Sequence, residues 1–291
     1  MLELNGGKLM LKNDQLDRLE HFFQTAYERH TIYISKEKGD SKPWTKDTIY
    51  QNYYFCNVFR YLDKTSVWMV ENIFNKNANE PNLWKHIFLS RYINKIETLK
   101  RMNKYETFKG KYDLLRSMQA NKEKIFSSAF IVNSKGQGGT WQDKISYIFT
   151  LLKHFENTDF DNIKTIEDMF NTILPASGVG NFMAYQYTMD FTYTRYLNNA
   201  IDQNTFTCLG LGAVRGIKRI LTGSPDSKKV KDELQIAIEI LERWKIWVLF
   251  HGLSHEYRPF HELHLCDVEH WLCEYDKYCR GGSKKRRYNG I

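Results

Sequence analysis

Residues 165–197 read TIEDMFNTILPASGVGNFMAYQYTMDFTYTRYL, and this stretch decides the fold. Thr165 can accept the first free N–H groups of a helix running to about Ile173, and Pro175 ends that helix because proline cannot continue its hydrogen-bond ladder. Gly178-Val179-Gly180 then makes a tight turn into a second helix over 181–197. Glycines let the backbone come close to a ligand, and the unbonded N–H groups of the second helix, backed by the positive end of its dipole, face whatever lies there. A DNA phosphate fits such a place, which makes Gly178, Gly180 and Asn181 candidate DNA contacts. The same pattern also serves as an ordinary connection between helices.

Outward from this hairpin, apolar residues recur at helical spacing and alternating strand patterns are scarce, so the fold class is all-α. Thr140 caps a helix over 140–156 whose stripe is Ile145, Ile148, Phe149, Leu152 and Phe155. Asp226 caps a central helix over 226–250 with Val230, Leu234, Ile238 and Leu241 inward and an apolar end, WKIWVLF, buried on most sides. Shorter helices are expected at 14–30, 46–62, 66–75, 82–100, 109–120, 165–173, 181–197, 212–221 and 260–278. No internal repeat or long linker is present, which predicts a single unit over 1–291 with lobes of about 1–135 and 136–291 and an active cleft between them.

With 42 Lys+Arg against 34 Asp+Glu the net charge is +8, which suits a polyanionic partner and equally a merely basic soluble protein. The sequence has no 18-residue apolar run and no signal peptide, so neither a membrane partner nor secretion is expected, and the location is cytoplasmic. Five cysteines, Cys56, Cys208, Cys266, Cys273 and Cys279, should be free thiols. Cys266, His270 and Cys273 fall at i, i+4 and i+7 and can share a helix face. No fourth ligand stands at a metal spacing, so no metal is assigned.

The hairpin resembles that of DNA-repair glycosylases, which implies a helix-hairpin-helix, glycosylase-like fold. Those enzymes usually read LPGVG, and here Ala176-Ser177 adds a residue. Where many carry a lysine nucleophile this chain has Phe182, which cannot form a Schiff base. Asp190 and Asp202 are the acids available to a monofunctional enzyme, and Asp190 comes too early for the usual glycosylase position.

Further segments narrow the resemblance. They are Glu28-Arg29-His30, KGDSKPWTKDTIYQNYYFCNVFRYLDK (38–64), FNK (74–76), FLSRYIN (88–94), MAYQYTMDFTY (183–193) and HLCDVEHWLCEYDKYCRGGSKKRRY (264–288). Together with the hairpin, the chain resembles the phage alpha-glutamyl/putrescinyl thymine pyrophosphorylases, amino acid:DNA transferases related to the helical domain of 5-hydroxymethyl-deoxyuridine DNA kinases. The resemblance implies a reaction on double-stranded DNA whose 5-hydroxymethyluracil has been pyrophosphorylated by a partner DNA kinase. An amine from an amino acid or polyamine displaces the pyrophosphate, in the host cytoplasm during infection. No cofactor is called for; a monovalent cation at the hairpin is left open. The rivals are a glycosylase and a non-catalytic DNA-binding module that partners the kinase.

Such chemistry needs a flipped base, cations for the leaving group, a base for the amine and a pocket for the donor. Trp44, Tyr185 and Tyr187 can hold a base, or lie in the core. Asn57 and Arg60, and likewise Arg91 and Asn94, are three apart on expected helices; an Asn reads a pyrimidine edge and an Arg clamps phosphate, although either pair also reads as a buried network. Gln186 and Asp190 share a face, with Asp190 the preferred general base or, alternatively, the partner of an arginine. Arg215 and Lys218, after Gly-x-Gly at 210–212, offer a phosphate site or a solvated basic face. Glu269, His270, Glu274 and Lys277 form a polar cluster for the donor or for the tail, whose Arg286 and Arg287 can fold back onto a phosphate.

Overall fold

A computed structural model describes residues 4–5, 8–9, 11–127, 143–227, 230–251 and 263–282. Its helices are α1 (Asn13–Glu37), α2 (Thr48–Asn52), α3 (Lys64–Met69), α4 (Leu83–Ile93), α5 (Ile96–Met102) and α6 (Phe108–Ala120), then α7 (Lys144–His154), α8 (Ile166–Ile173), α9 (Asn181–Phe191), α10 (Leu211–Thr222), α11 (Glu233–Phe250) and α12 (Leu265–Cys279). A two-residue antiparallel pair, β1 (Leu4–Asn5) and β2 (Lys8–Leu9), sets Leu4 opposite Leu9. The fold is therefore all-α in its described core.

The chain forms two compact units that do not follow the expected division near 135. The first combines Met1–Asp63 with Gln203–Ile291, and the second is the unbroken run Lys64–Asp202.

In the first unit α10 lies against α12 because glycine removes the side chains between them. A Cβ on Gly216 would stand 2.2 Å from the Leu272 carbonyl oxygen, and one on Gly212 2.4 Å from Cys273 Sγ. Phe22, Phe23, Trp244, Trp271, Leu272 and Tyr275 fill the core, with Phe22 edge-on to both Trp244 and Tyr275. The last carbonyls of α10 are bound by α1: Gln15 donates to Leu221 O at 2.8 Å and Arg18 to Ile220 O at 2.7 Å. Two expectations fail here. Helix α11 begins at Glu233 rather than at Asp226, and the apolar end is not enclosed: Ile246, Leu249 and Phe250 are exposed. Helical spacing puts these three opposite Ala237, Ile240, Leu241 and Trp244, which with Ile236 are the buried residues of the helix.

In the second unit α4 and α9 are buried on nearly every side. Phe88 stacks on Phe155 and touches Tyr187 and Phe191. Tyr185 and Tyr187 are 2% and 1% exposed, so they belong to this core and present no face to a base. The single helix expected over 82–100 is broken because Asn94 takes a left-handed conformation, φ 47°, that ends α4. The second hairpin helix stops at Phe191. Asp143, not Thr140, caps α7; Thr140 lies outside the described residues.

One titration in this unit is open to measurement. His86 on α4 is 7% exposed, and burial, reinforced by Lys111, lowers its pKa from 6.5 to about 4; Glu80 Oε2 stands 3.8 Å from its Nε2. Between those two values the unfolded chain takes up a proton that the folded chain refuses. Stability from this residue is full above pH 6.5 and is lost as pH falls towards 4, by about 1.4 kcal/mol per pH unit and roughly 3 kcal/mol in all. His86→Gln should remove that slope in denaturant unfolding; an unchanged slope would place the pH sensitivity elsewhere.

Candidate functional site

The segment 53–63 carries most of a polar cluster, and it is not the helix expected over 46–62. Only Thr48–Asn52 and a 3₁₀ turn, Arg60–Leu62, are helical. Tyr50, Phe55 and Val58 anchor the segment in the core, and carboxylates take the backbone donors that a helix would have used. The Cys56 N–H donates to Glu274 Oε2 at 3.0 Å, the Asn57 N–H to Asp63 Oδ1 at 3.1 Å, and the Arg60 N–H to Asp267 Oδ1 at 2.9 Å. Helix α12 thus fixes the loop by its acidic side chains, and the loop holds the acids in place.

Around this frame the charges close up. Arg29 of α1 donates to Phe55 O at 3.1 Å and to Asn57 Oδ1 at 2.5 Å, while its Nη1 is buried with no hydrogen-bond partner. Lys277 donates to Glu274 and lies 4.4 Å above the Phe55 ring. His270 Nε2 is 3.8 Å from Asp63 Oδ2 and is also buried without a hydrogen bond. Glu269 accepts the Gly210 N–H at 3.4 Å. Burial raises Asp63 and Asp267 to about 6, against the pull of the backbone donors and Arg60, and lowers His270 to about 3. It likewise raises Glu269, lifts Cys273 to about 12 and pushes Cys56 well above its ordinary value.

The structure therefore brings together Asn57, Arg60, Glu269, His270, Glu274 and Lys277, although Asn57 and Arg60 do not share a helix face. Arg29, Cys56 and Asp63 complete the cluster and had been given no chemical role in the sequence. Only their place in Glu28-Arg29-His30 and CNVFRYLD marked them.

Other candidates lie elsewhere. Asp190 is fully buried, and Arg91 donates to both of its oxygens, at 2.6 and 2.5 Å, while also reaching Asn94 and Ser66. A carboxylate so enclosed cannot take a proton from an incoming amine, so the expectation of a general base is corrected to an arginine partner. Gln186 is buried on the same helix, 5% exposed. Asp202 accepts the Ile166 and Glu167 N–H groups at the start of α8, which is a capping role. Arg215 meets Arg219 and Arg280 on the buried Asp276; burial works to raise that carboxyl, yet the arginines hold it below its ordinary value. Lys218 donates to Ser227 O. Trp44 donates its indole N–H to Asp40 O and carries Lys36 and Lys42 over its ring at 4.7 and 5.2 Å. Arg286 and Arg287 lie outside the described residues. Cys266 and Cys273 do not join His270 in a ligand group; Cys56 and Asp63 do.

The hairpin turn is built as its glycines require. Gly178 has φ +81°, and a Cβ there would fall 2.8 Å from the Tyr147 ring, whose hydroxyl donates to Ser177 O. Gly180 caps α9, Asn181 is exposed, and Phe182 is 56% exposed on its first turn.

Among the described residues no helix is long and apolar enough to cross a membrane. In comparison with known proteins, the family described as 5-hmdU DNA kinase, helical domain, matches residues 17–287. The chain is 23% identical over 295 residues to the 5-hmdU DNA kinase of Bacillus phage SP10, which takes in 92% of this chain and 46% of that protein. It thus spans under half the length of this relative. No solved structure matches. With the match running across both units and the whole polar cluster, the chain belongs to the family of the 5-hmdU DNA kinase helical domain.

Proposed function

We propose that the protein acts in thymine hypermodification, joining an amine to the 5-methylene of pyrophosphorylated 5-hydroxymethyluracil in DNA. The amine nitrogen forms the new C–N bond, the C–O bond to the pyrophosphate breaks with its electron pair, and the resulting ammonium gives its proton to water. The observation that carries this reading is the buried Arg29 Nη1 with no acceptor. A buried guanidinium nitrogen with no partner within the chain is a donor that an entering anion can use, and Arg60 and Lys277 belong to the same cluster. Three cations meet the need of a leaving pyrophosphate, whose charge grows as the bond breaks. Hydroxymethyluracil enters through the family, whose relative is a 5-hmdU DNA kinase. The helix-hairpin-helix reading of α8 and α9 supplies the grip on DNA, with Gly178, Gly180 and Asn181 at the phosphate and Phe182 in place of a lyase lysine. In this reading Trp44 and its lysines make a further backbone contact, and a monovalent cation at the turn belongs to the same grip.

The test uses duplex DNA containing 5-hydroxymethyluracil, pyrophosphorylated by a 5-hmdU DNA kinase with ATP, then treated with this protein and a mixture of amino acids and polyamines. Nucleoside masses are read after digestion. A nucleoside heavier by one donor is expected, formed roughly a hundredfold more slowly by Lys277→Gln. Unchanged nucleosides with salt-sensitive DNA binding would replace the transferase by a DNA-binding module that partners a kinase. Free base with abasic sites would replace it by a glycosylase.

A further inference from the structure

We infer that Cys56, Asp63 and His270 form a site for a divalent transition metal of the zinc class, open at its fourth position. The inference rests on the geometry of the cluster and on no assumption about the reaction.

One donor atom from each residue lies within 4.8 Å of the other two, and His270 Nε2 and Asp63 Oδ2 are 3.8 Å apart. Tetrahedral bonds of 2.0–2.3 Å place donors roughly 3.3–3.8 Å from each other. The imidazole and carboxylate already stand at that spacing, and the thiol, within 4.8 Å of both, needs to close by at most about 1.5 Å.

The surroundings hold each donor in the required state. Asp63 Oδ1 is committed to the Asn57 N–H, which leaves Oδ2 towards the histidine. The Asn57 backbone also hydrogen-bonds the His270 ring, and Nε2 is left buried without a hydrogen bond. Backbone groups that orient a ligating imidazole and carboxylate in this way are the usual outer shell of a metal site. The Cys56 main chain is pinned by Glu274.

The ligand group itself would bring two negative charges, from Asp63 and a Cys56 thiolate, which a divalent cation balances. A thiolate and an imidazole select zinc or cobalt over magnesium or calcium, and three protein ligands with a free position match open rather than closed zinc sites. Among the described residues no second group of His, Cys and acidic side chains comes this close.

The full-length chain, stripped of metal, is titrated with Co²⁺ and followed by absorption. One equivalent is expected to produce a thiolate-to-cobalt charge-transfer band with tetrahedral d–d bands. Both should vanish in Cys56→Ser and persist in Cys273→Ser, and His270→Gln should weaken binding at least about tenfold. No band in the wild-type chain, a band surviving Cys56→Ser, or one lost in Cys273→Ser overturns the site. A second measurement needs no variant: Zn²⁺ should protect Cys56 from alkylation, mapped by mass spectrometry, and equal labelling with and without Zn²⁺ also overturns it. Neither readout depends on nucleoside products, so failure of the metal site and failure of the transferase are told apart.

Discussion

Asp190→Ala is expected to destabilise the second unit by about 3–5 kcal/mol, the cost of stranding one member of a buried ion pair. The Asp190 side chain is 0% exposed and that of Arg91 is 4% exposed, so the guanidinium that remains would have neither its counter-charge nor water. Asn94 and Ser66 accept from the same guanidinium but bring no negative charge. The double substitution Arg91→Met with Asp190→Leu should recover most of the loss, because two apolar side chains of similar size avoid desolvating either charge. Denaturant unfolding of the wild type, single and double variants decides the matter. If the single variant unfolds within about 1 kcal/mol of wild type, the pair is not the support assigned to it. Loss of activity in Asp190→Ala, taken alone, would report unfolding and not a missing general base.

Gly216→Ala is expected to cost the first unit about 3 kcal/mol or more, at the upper end of overpacking substitutions. The added methyl would meet the Leu272 carbonyl oxygen at 2.2 Å and the Leu272 carbonyl carbon at 2.8 Å. Backbone cannot swing aside as a long side chain does, so α10 and α12 must separate along their length. That separation would loosen the acidic face of α12, so the Arg60–Asp267 and Cys56–Glu274 bonds should weaken with it. A variant as stable as wild type would mean that the two helices slide apart freely.

The sequence conveyed the helices wherever local signals agree. Thr165 caps α8, Gly178 carries the turn, and the stripe Ile145, Ile148, Leu152 and Phe155 is buried as its spacing demands, with Phe149 half-buried beside it. It misled where tertiary contacts outweigh periodicity. Residues 53–59 have helical spacing, but Glu274 of α12 binds the Cys56 N–H and Asp63 the Asn57 N–H, which draws them into a loop. The candidate site was legible as two separate clusters, Asn57 with Arg60 and Glu269 with Lys277. Their meeting, and the part of Arg29, were not, since Cys56 and Glu274 stand 218 positions apart. Asp190 was left between a general base and an arginine partner because the same i, i+4 pattern describes a catalytic face and a buried ion pair, and its burial against Arg91 favours the second.

The discontinuous first unit also sets an order of assembly on the ribosome. The second unit is one continuous run and can close as soon as Asp202 has left the exit tunnel. Cys56 and Asp63 emerge before any of it, whereas α12, with His270 and Glu274, comes after all of it. Throughout that interval the nascent chain carries Cys56 without Glu274, the α12 side chain that binds its N–H. A stalled or truncated chain that ends before Leu265 would therefore display a folded second unit beside a half-built first one.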